Sequence, residues 1–469
     1  MRDTTYINPF DLANDFGRFK GGYLFKDDNE ENGFLLNSEN GCSIILSSVL
    51  CEQVLTQNVD EDLAFKMIQR GMIKNEACMK CQVTERVQPT FFIFDLTQAC
   101  NFRCIYCFRH LEDKVHTISD DNLDAITNYI IHYCLKYKIT DFCVQPWGGE
   151  PLIAFDKIKR MDDMFKQAGL YPLISIETNA SLITEELAEE CAARNIRLGV
   201  SIDGFEAVQN MHRPLMSGKP SFDKMMRGVR ILAKNEKLKN FGVVSVLTSR
   251  SFPYLEEIIE FLATEVKVPC FKLNLVKDNP VMKDAGLCLT SEQVEAAEKL
   301  LLAKLVELNR RGFPITELNV HEKLMNLLVR SKTNICTSRG CMGGTKMIAF
   351  DQDGLIYPCD VTDYKEESIG SVHDKQDLIS LVTESKKSNR DFFNRKHIEE
   401  CDTCPFWFYC KGGCTTAIKY KKGCVEGVDN QECIANKTLY PALIDLIISD
   451  PDAIYPLTRG RVQLKKSRQ

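Results

Sequence analysis

The stretch TFFIFDLTQACNFRCIYCF, residues 90–108, sets three thiols, Cys100, Cys104 and Cys107, directly behind an apolar run. TFFIFDLT (90–97) is rich in aromatic and β-branched residues and reads as a buried strand. The Cys-x3-Cys-x2-Cys loop behind it offers three thiolates on one tight turn. Thiolates are the usual ligands of iron–sulfur clusters, and a 4Fe–4S cube takes four of them. Three leave one iron open, which is a defect in an electron carrier and a binding position in a catalyst. Structural zinc, the competing occupant, takes four closed ligands, and a fourth could come from elsewhere in the chain.

Working outward from this loop, five more strand-like runs follow: DFCVQPW (141–147), LISIETN (173–179), RLGVSID (197–203), FGVVSVLTS (241–249) and CFKLNLV (270–276). Amphipathic stretches separate them, several opened by a Ser, Thr or Asp suited to an N-cap. Six βα units in series predict a parallel sheet with right-handed crossovers. Six fall short of a closed eightfold barrel. The expectation is an α/β chain with a partial (βα)6 barrel over residues 89–315 and its site at the C-terminal strand ends. Cys100, WGGEP (147–151), Asn179 and SIDG (201–204) all fall at such ends.

Residues 1–88 differ. GGYLFKD, NGFLLNSE and CSIILSS are short strand-like runs broken by turn signals, followed by two helical stretches, SSVLCEQVLTQ and DEDLAFKMIQRGMI. A β-meander followed by helices predicts a winged-helix-like module. Winged folds also bind DNA, but this segment is acid-rich and has no basic stripe.

The chain carries 21 cysteines in 469 residues and a net charge of −6. The acidic balance argues against a nucleic-acid or anionic-membrane surface. No apolar run approaches the roughly 18–20 residues of a spanning helix, and no signal-peptide core opens the chain. A cytoplasmic location is expected, where thiols stay reduced and clustered Cys points to metal or catalysis. Cys134, Cys143, Cys191, Cys270 and Cys288 stand alone among apolar neighbours and read as small buried hydrophobes. Cys78 and Cys81 form a CxxC that reads as free thiols or a peripheral contact rather than a fourth cluster. Over residues 316–469 the cysteines crowd: Cys336, Cys341 and Cys359, then Cys401, Cys404, Cys410 and Cys414, then Cys424 and Cys433. KMIAFDQDGLIYPC reads there as a hairpin turning at Asp351–Gly354, and NKTLYPALIDLIISD as a closing helix.

CNFRCIYC resembles the CxxxCxxC signature of the radical S-adenosylmethionine (SAM) enzymes, and the resemblance extends over the middle region. It implies that Cys100, Cys104 and Cys107 hold a 4Fe–4S cluster. It further implies that Gly148, Gly149 and Glu150 of WGGEP, Asn179, Ser201 and Arg213 contact SAM, with Tyr106 near the adenine. In such enzymes a 5′-deoxyadenosyl radical takes a hydrogen atom from the substrate; the cofactors carry that chemistry and the protein orients and sequesters it.

The C-terminal pattern resembles the SPASM domain of peptide maturases. By that resemblance Cys336, Cys341, Cys359 and Cys414 hold one auxiliary 4Fe–4S cluster. Cys401, Cys404, Cys410 and Cys433 hold a second, with Cys433 preferred over Cys424 on spacing. Three clusters and SAM are then the cofactors. Two structural zincs are the plainer alternative. Asp360 in YPCD resembles the general-base candidate of anaerobic sulfatase-maturing enzymes, although an Asp after a turn strand is often only a capping residue.

The resemblance implies a maturase of a ribosomally made precursor peptide. Its leader would add as a strand to the N-terminal sheet. A thioether or carbon crosslink would form, with electrons from a flavodoxin- or ferredoxin-type donor. A sulfatase-maturing enzyme making formylglycine is the second expectation. An iron–sulfur electron carrier or zinc-stabilised interaction protein is the third.

Overall fold

The computed structural model describes residues 4–12, 16–26, 32–74, 86–107, 116–330, 336, 341–360, 367–388, 398–422 and 426–464. Cys78, Cys81 and Cys424 lie outside them.

The N-terminal module opens with β1 (Thr4–Ile7), β2 (Phe10–Asp11), β3 (Arg18–Phe19), β4 (Gly22–Lys26), β5 (Asn32–Leu36), β6 (Ser43–Ser47) and β7 (Ile73–Lys74). β1, β4, β5 and β6 form an antiparallel sheet in that order, and β2, β3 and β7 a second small one. Helices Ser48–Leu55 and Glu61–Gln69 follow the meander as expected, the second capped by Asp60 accepting from the Leu63 N–H. A core of its own, with Phe19, Leu24, Leu35, Val54, Leu63 and Met67, holds the module together. β1 and the small sheet carry no alternating pattern of their own; β2 pairs with its neighbour β3, and β3 is closed on its other side by the distant β7.

The six expected barrel strands are all present: β8 (Phe91–Thr97), β9 (Cys143–Gly148), β10 (Leu173–Thr178), β11 (Arg197–Ser201), β12 (Gly242–Leu247) and β13 (Cys270–Leu275). They run parallel in sequence order. Every second residue faces the helices. Ile174, Ile176 and Thr178 of β10 are buried, while Leu173, Ser175 and Glu177 between them face the barrel interior half-buried. Ser119 and Thr184 cap their helices through Asn122 N–H and Leu187 N–H; Ser221 and Ser251 make no such side-chain cap.

The sheet does not stop at six strands. β14 (Thr316–Glu317) adds in parallel beyond β13, and β15 (Met347–Phe350) adds in parallel beside β8. β15 turns through Asp351 into β16 (Leu355–Tyr357), which pairs with β17 (Gly370–Ser371). Asp351 accepts from the N–H groups of Asp353 and Leu355, which closes the expected hairpin. The cysteine-rich region is therefore hydrogen-bonded to the first barrel strand. The closing helix runs Asn430–Ser449. Of the isolated thiols, Cys134 and Cys191 are buried. Cys143 and Cys270 are only half-buried, because strand alternation puts them on the inner barrel face, and Cys288 is also half-buried. No helix among the described residues is long and apolar enough to cross a membrane.

Candidate active site

The loop after β8 is laced to three neighbouring segments. Cys107 N–H donates to Cys104 O at 3.1 Å, which closes a turn around the last two thiols. Arg103 N–H and Ile105 N–H donate to Pro214 O and His212 O, and Met216 N–H to Asn101 O, so residues 212–216 run alongside the loop. Asn101 binds the end of β10: its Oδ1 accepts from Asn179 Nδ2 at 2.8 Å, and its own Nδ2 donates to Ser181 Oγ at 2.8 Å.

The WGGEP turn is the loop's other wall. Gly149 N–H donates to Thr97 O at 2.7 Å and Glu150 N–H to Ala99 O at 2.9 Å. A Cβ on Gly148, whose φ is +139°, would stand 2.2 Å from Thr97 O; one on Gly149 would stand 2.3 Å from Ala99 O. Both positions need glycine because two backbones touch there. Glu150 is 1% exposed and its carboxylate is fully engaged. Oε1 accepts from Thr178 Oγ1 at 2.7 Å and from Leu152 N–H at 3.2 Å, and Oε2 from Asn179 N–H at 2.8 Å. Glu150 and Asn179 thus brace the strand ends against each other.

A buried polar chain supports the third thiol. Arg213 Nη1 donates to Tyr106 Oη at 2.6 Å, and Tyr106 Oη donates to Asp203 Oδ2 at 2.6 Å. His212 Nδ1 lies 3.2 Å from the same oxygen, and its Nε2 lies 3.0 Å from Thr248 Oγ1. Val246 N–H donates to Asp203 Oδ1 at 3.0 Å. Burial pushes the Asp203 carboxyl up, but His212, Arg213 and Tyr106 outweigh it and hold the group below the usual carboxylate range. The Tyr106 ring meets His212 edge-on, with centroids 5.7 Å apart. Ser201 ends β11, half-buried on the inner face.

Burial pushes the Cys100 thiol up to about 11 and the Cys104 thiol up to about 12, against the pull of the Arg213 guanidinium. Arg213 Nε is buried without a hydrogen-bond partner, and so is Glu177 Oε2. Three thiols on one braced turn, an adjacent guanidinium and orphaned polar atoms fit an iron–sulfur cube with one open position and a polar ligand upon it. Such thiols lose their protons on metal binding, which links assembly to pH.

The C-terminal thiols gather in two places. Gly344 N–H donates to Pro358 O at 2.9 Å and Gly343 N–H to Cys341 Sγ at 3.4 Å, so Cys341 sits beside the Cys359 strand end. Cys336 feels the charges of Lys272, Cys341, Asp360 and Cys414. Asp360 Oδ1 lies 3.2 Å from Cys359 Sγ and accepts from that thiol. In the second place Cys401, Cys404, Cys410 and Cys433 line a single pocket with Phe406, Trp407 and Lys437. No three Cys, His, Asp or Glu side chains among the described residues converge to hold one metal ion. The thiolates of a cube bind separate irons and have no need to meet at one point.

The sequence reading missed Asn101, Ser181, Asp203 and His212 as supports of the loop. Asp203 lies within the quoted SIDG, and its value was hidden because its partners are up to 97 residues away.

Residues 94–262 match the Radical SAM superfamily. This part of the chain is a radical SAM domain, and the protein is a radical SAM enzyme related to sulfatase maturases and to modifiers of ribosomal peptides. It is 25% identical over 334 residues to a cysteine-type anaerobic sulfatase-maturating enzyme of Clostridium perfringens, covering 68% of this chain and 86% of that protein. It is 24% identical over 375 residues to the radical SAM cyclopropyl synthase TigE of Paramaledivibacter caminithermalis, covering 75% and 73%. Among solved structures, the maturase anSMEcpe with bound AdoMet and Cp18Cys peptide matches with a TM-score of 0.66 at 20% identity, over 76% of this chain and 99% of that one. Streptococcus suis SuiB bound to precursor peptide SuiA matches with a TM-score of 0.52 at 16% identity, over 85% and 95%. These likenesses establish the fold, a radical SAM partial barrel with SPASM-type architecture.

Proposed function

We propose that this enzyme matures a ribosomally synthesised precursor peptide, taking a hydrogen atom from it and forming a thioether or carbon crosslink. The observation that carries the reading is the separate N-terminal antiparallel sheet, joined to the barrel and to the paired C-terminal thiol sites. An outer strand of that sheet is a surface on which an extended leader adds by main-chain hydrogen bonds. The likeness to SuiB, a structure that holds its precursor peptide, supports the same reading.

Three 4Fe–4S clusters and SAM are the proposed cofactors, the first held by Cys100, Cys104 and Cys107. The other two sit at Cys336, Cys341, Cys359 and Cys414 and at Cys401, Cys404, Cys410 and Cys433. With SAM and a reduced cluster bound there, the cofactors would supply the radical chemistry for hydrogen abstraction. The chain's own part is placement. Gly148 and Gly149 let two backbones close on each other, Glu150 and Asn179 lock the strand ends, and Asp203 fixes Tyr106 and, through it, Arg213. Asp360, next to Cys359, is the proposed acceptor of the proton released when the substrate is oxidised. Strand-end side chains turned into the barrel keep the reaction from water. A flavodoxin- or ferredoxin-type protein is the proposed electron source.

The second reading, formylglycine formation on a sulfatase, is favoured by the sequence relation to the Clostridium perfringens enzyme. One anaerobic incubation separates the two, using a small peptide encoded beside this chain, a sulfatase-derived Cys peptide, SAM and reductant. Peptide maturation removes two hydrogens per crosslink from the neighbouring peptide. Formylglycine formation replaces the thiol of the sulfatase peptide with a carbonyl oxygen. SAM cleavage with both peptide masses unchanged rejects both readings.

A further inference from the structure

The N-terminal sheet and the loop carrying Cys401, Cys404 and Cys410 are joined by paired contacts. Tyr23 of β4 donates its hydroxyl to Thr403 O at 2.6 Å, one residue before Cys404. Tyr409, one residue before Cys410, donates its hydroxyl to Gly41 O at 2.8 Å, in the turn between β5 and β6. Phe25 of β4 stacks on Phe406 with ring centroids 6.0 Å apart. Phe406 stacks on Tyr440 at 5.0 Å, and Tyr440 on Tyr409 at 5.2 Å. Gly41 has a φ of +67°, and a Cβ there would stand 2.3 Å from the Phe408 ring, so the turn is pressed onto the loop. Phe406, Tyr409 and Tyr440 are buried, and Phe406 also lines the pocket of the four thiols.

The segment between the first and third thiols is therefore the floor on which the N-terminal sheet rests. We propose that filling the site of Cys401, Cys404, Cys410 and Cys433 orders the N-terminal module, so that peptide capture is gated by iron–sulfur loading at this site. The inference rests on the reading of these thiols as cluster ligands and of the N-terminal module as the peptide-binding element. Four thiolates fixed to one rigid body select the loop conformation that presents Thr403 O, Phe406 and Tyr409 to β4 and the Gly41 turn. A ligand that orders a segment lends that order to whatever packs on it. The coupling is reciprocal, so a peptide bound to the sheet also strengthens retention of iron.

Hydrogen–deuterium exchange of the full chain tests this, with iron counted on every sample. The samples are metal-free wild type, wild type reconstituted anaerobically with iron and sulfide, reconstituted Tyr23→Phe/Tyr409→Phe, and reconstituted Cys404→Ser. The double variant removes two hydrogen bonds and keeps every thiol and every aromatic ring. In wild type, loading slows exchange across β4 and residues 32–41 by about tenfold or more. In the double variant the slowing falls below about twofold while iron stays near twelve per chain, at four per cube. Cys404→Ser resembles the metal-free chain in these segments, while residues 101–107 still gain protection on loading. Equal N-terminal exchange with and without iron overturns the gate, and so does a double variant that responds like wild type. An iron content of Cys404→Ser equal to that of wild type overturns the cluster reading of this site, and the gate with it; a loaded site loses about four irons in that variant. Slowed exchange combined with failure to bind any precursor peptide leaves the coupling standing and rejects the peptide-binding role of the module.

Discussion

Tyr106 donates its hydroxyl to Asp203 Oδ2 at 2.6 Å, and this bond ties the residue before the last thiol of the loop to the segment following β11. Asp203 is 1% exposed and also serves His212 and Val246 N–H. Asp203→Ala leaves those donors and the Tyr106 hydroxyl without their acceptor and the buried Arg213 guanidinium without its nearby countercharge, at a cost of about 3–5 kcal/mol. A clear fall in the unfolding temperature is expected by calorimetry, together with a fall in SAM cleavage. Asp203→Asn keeps the shape and is expected to lose less. An Asp203→Ala chain as stable as wild type would show that the chain of bonds is not what holds the loop.

Cys104→Ala removes a ligand of the loop and is expected to abolish SAM cleavage. Iron should fall by about four per chain, because a cube with two thiols is not retained. Iron analysis and detection of 5′-deoxyadenosine check it, and a variant that still cleaves SAM would refute the role of the loop.

Gly149→Ala places a methyl carbon 2.3 Å from Ala99 O, a backbone atom that cannot turn aside. The turn and the loop must separate, with a loss of about 1–3 kcal/mol of stability. SAM cleavage should fall with it, even though alanine brings no new chemistry. Urea unfolding measures the first effect and product analysis the second.

Cys433→Ser is expected to remove about four irons and to leave SAM cleavage measurable. Cys433 lines the pocket of Cys401, Cys404 and Cys410, whereas Cys424→Ser is expected to keep the full content. The reverse outcome would move the last ligand to Cys424.

Glu177 gives a pH signature. Burial raises its carboxyl from 4.5 to about 7, against the pull of Lys272. A methyl on Gly199 would stand 2.4 Å from both carboxylate oxygens, so this group lies over bare backbone. The folded state then binds more protons than the unfolded one between pH 4.5 and about 7. This group's contribution is fully present below the lower value and is lost as pH rises to the upper, by at most about 3 kcal/mol. Glu177→Gln should flatten that slope and be the more stable chain at pH 8. A slope unchanged by the substitution would assign it to other groups.

The six barrel strands were legible because each is a short apolar run and the helices between them carry a 3.6-residue period. The three-thiol turn was legible because Cys100, Cys104 and Cys107 are close in sequence. β14 and β15 were not read as members of the barrel sheet. β14 is two residues long, and β15 reads only as half of a hairpin until its pairing with β8 is seen. Asn101, Asp203 and His212 were missed for a similar reason, since a polar residue next to a motif looks the same whether it meets solvent or a partner on another strand.

What the sequence by itself determined is what depends on local spacing: strand and helix periodicity and the three-thiol turn. What only the tertiary structure decided is which distant groups meet. Glu150 braces Thr178 and Asn179 instead of standing free, Cys433 joins Cys401, Cys404 and Cys410, and the N-terminal sheet rests on their loop. The physical reason is that hydrogen bonds and packing act over a few ångströms of space, and proximity in space between distant segments is set only when the whole chain closes around its core.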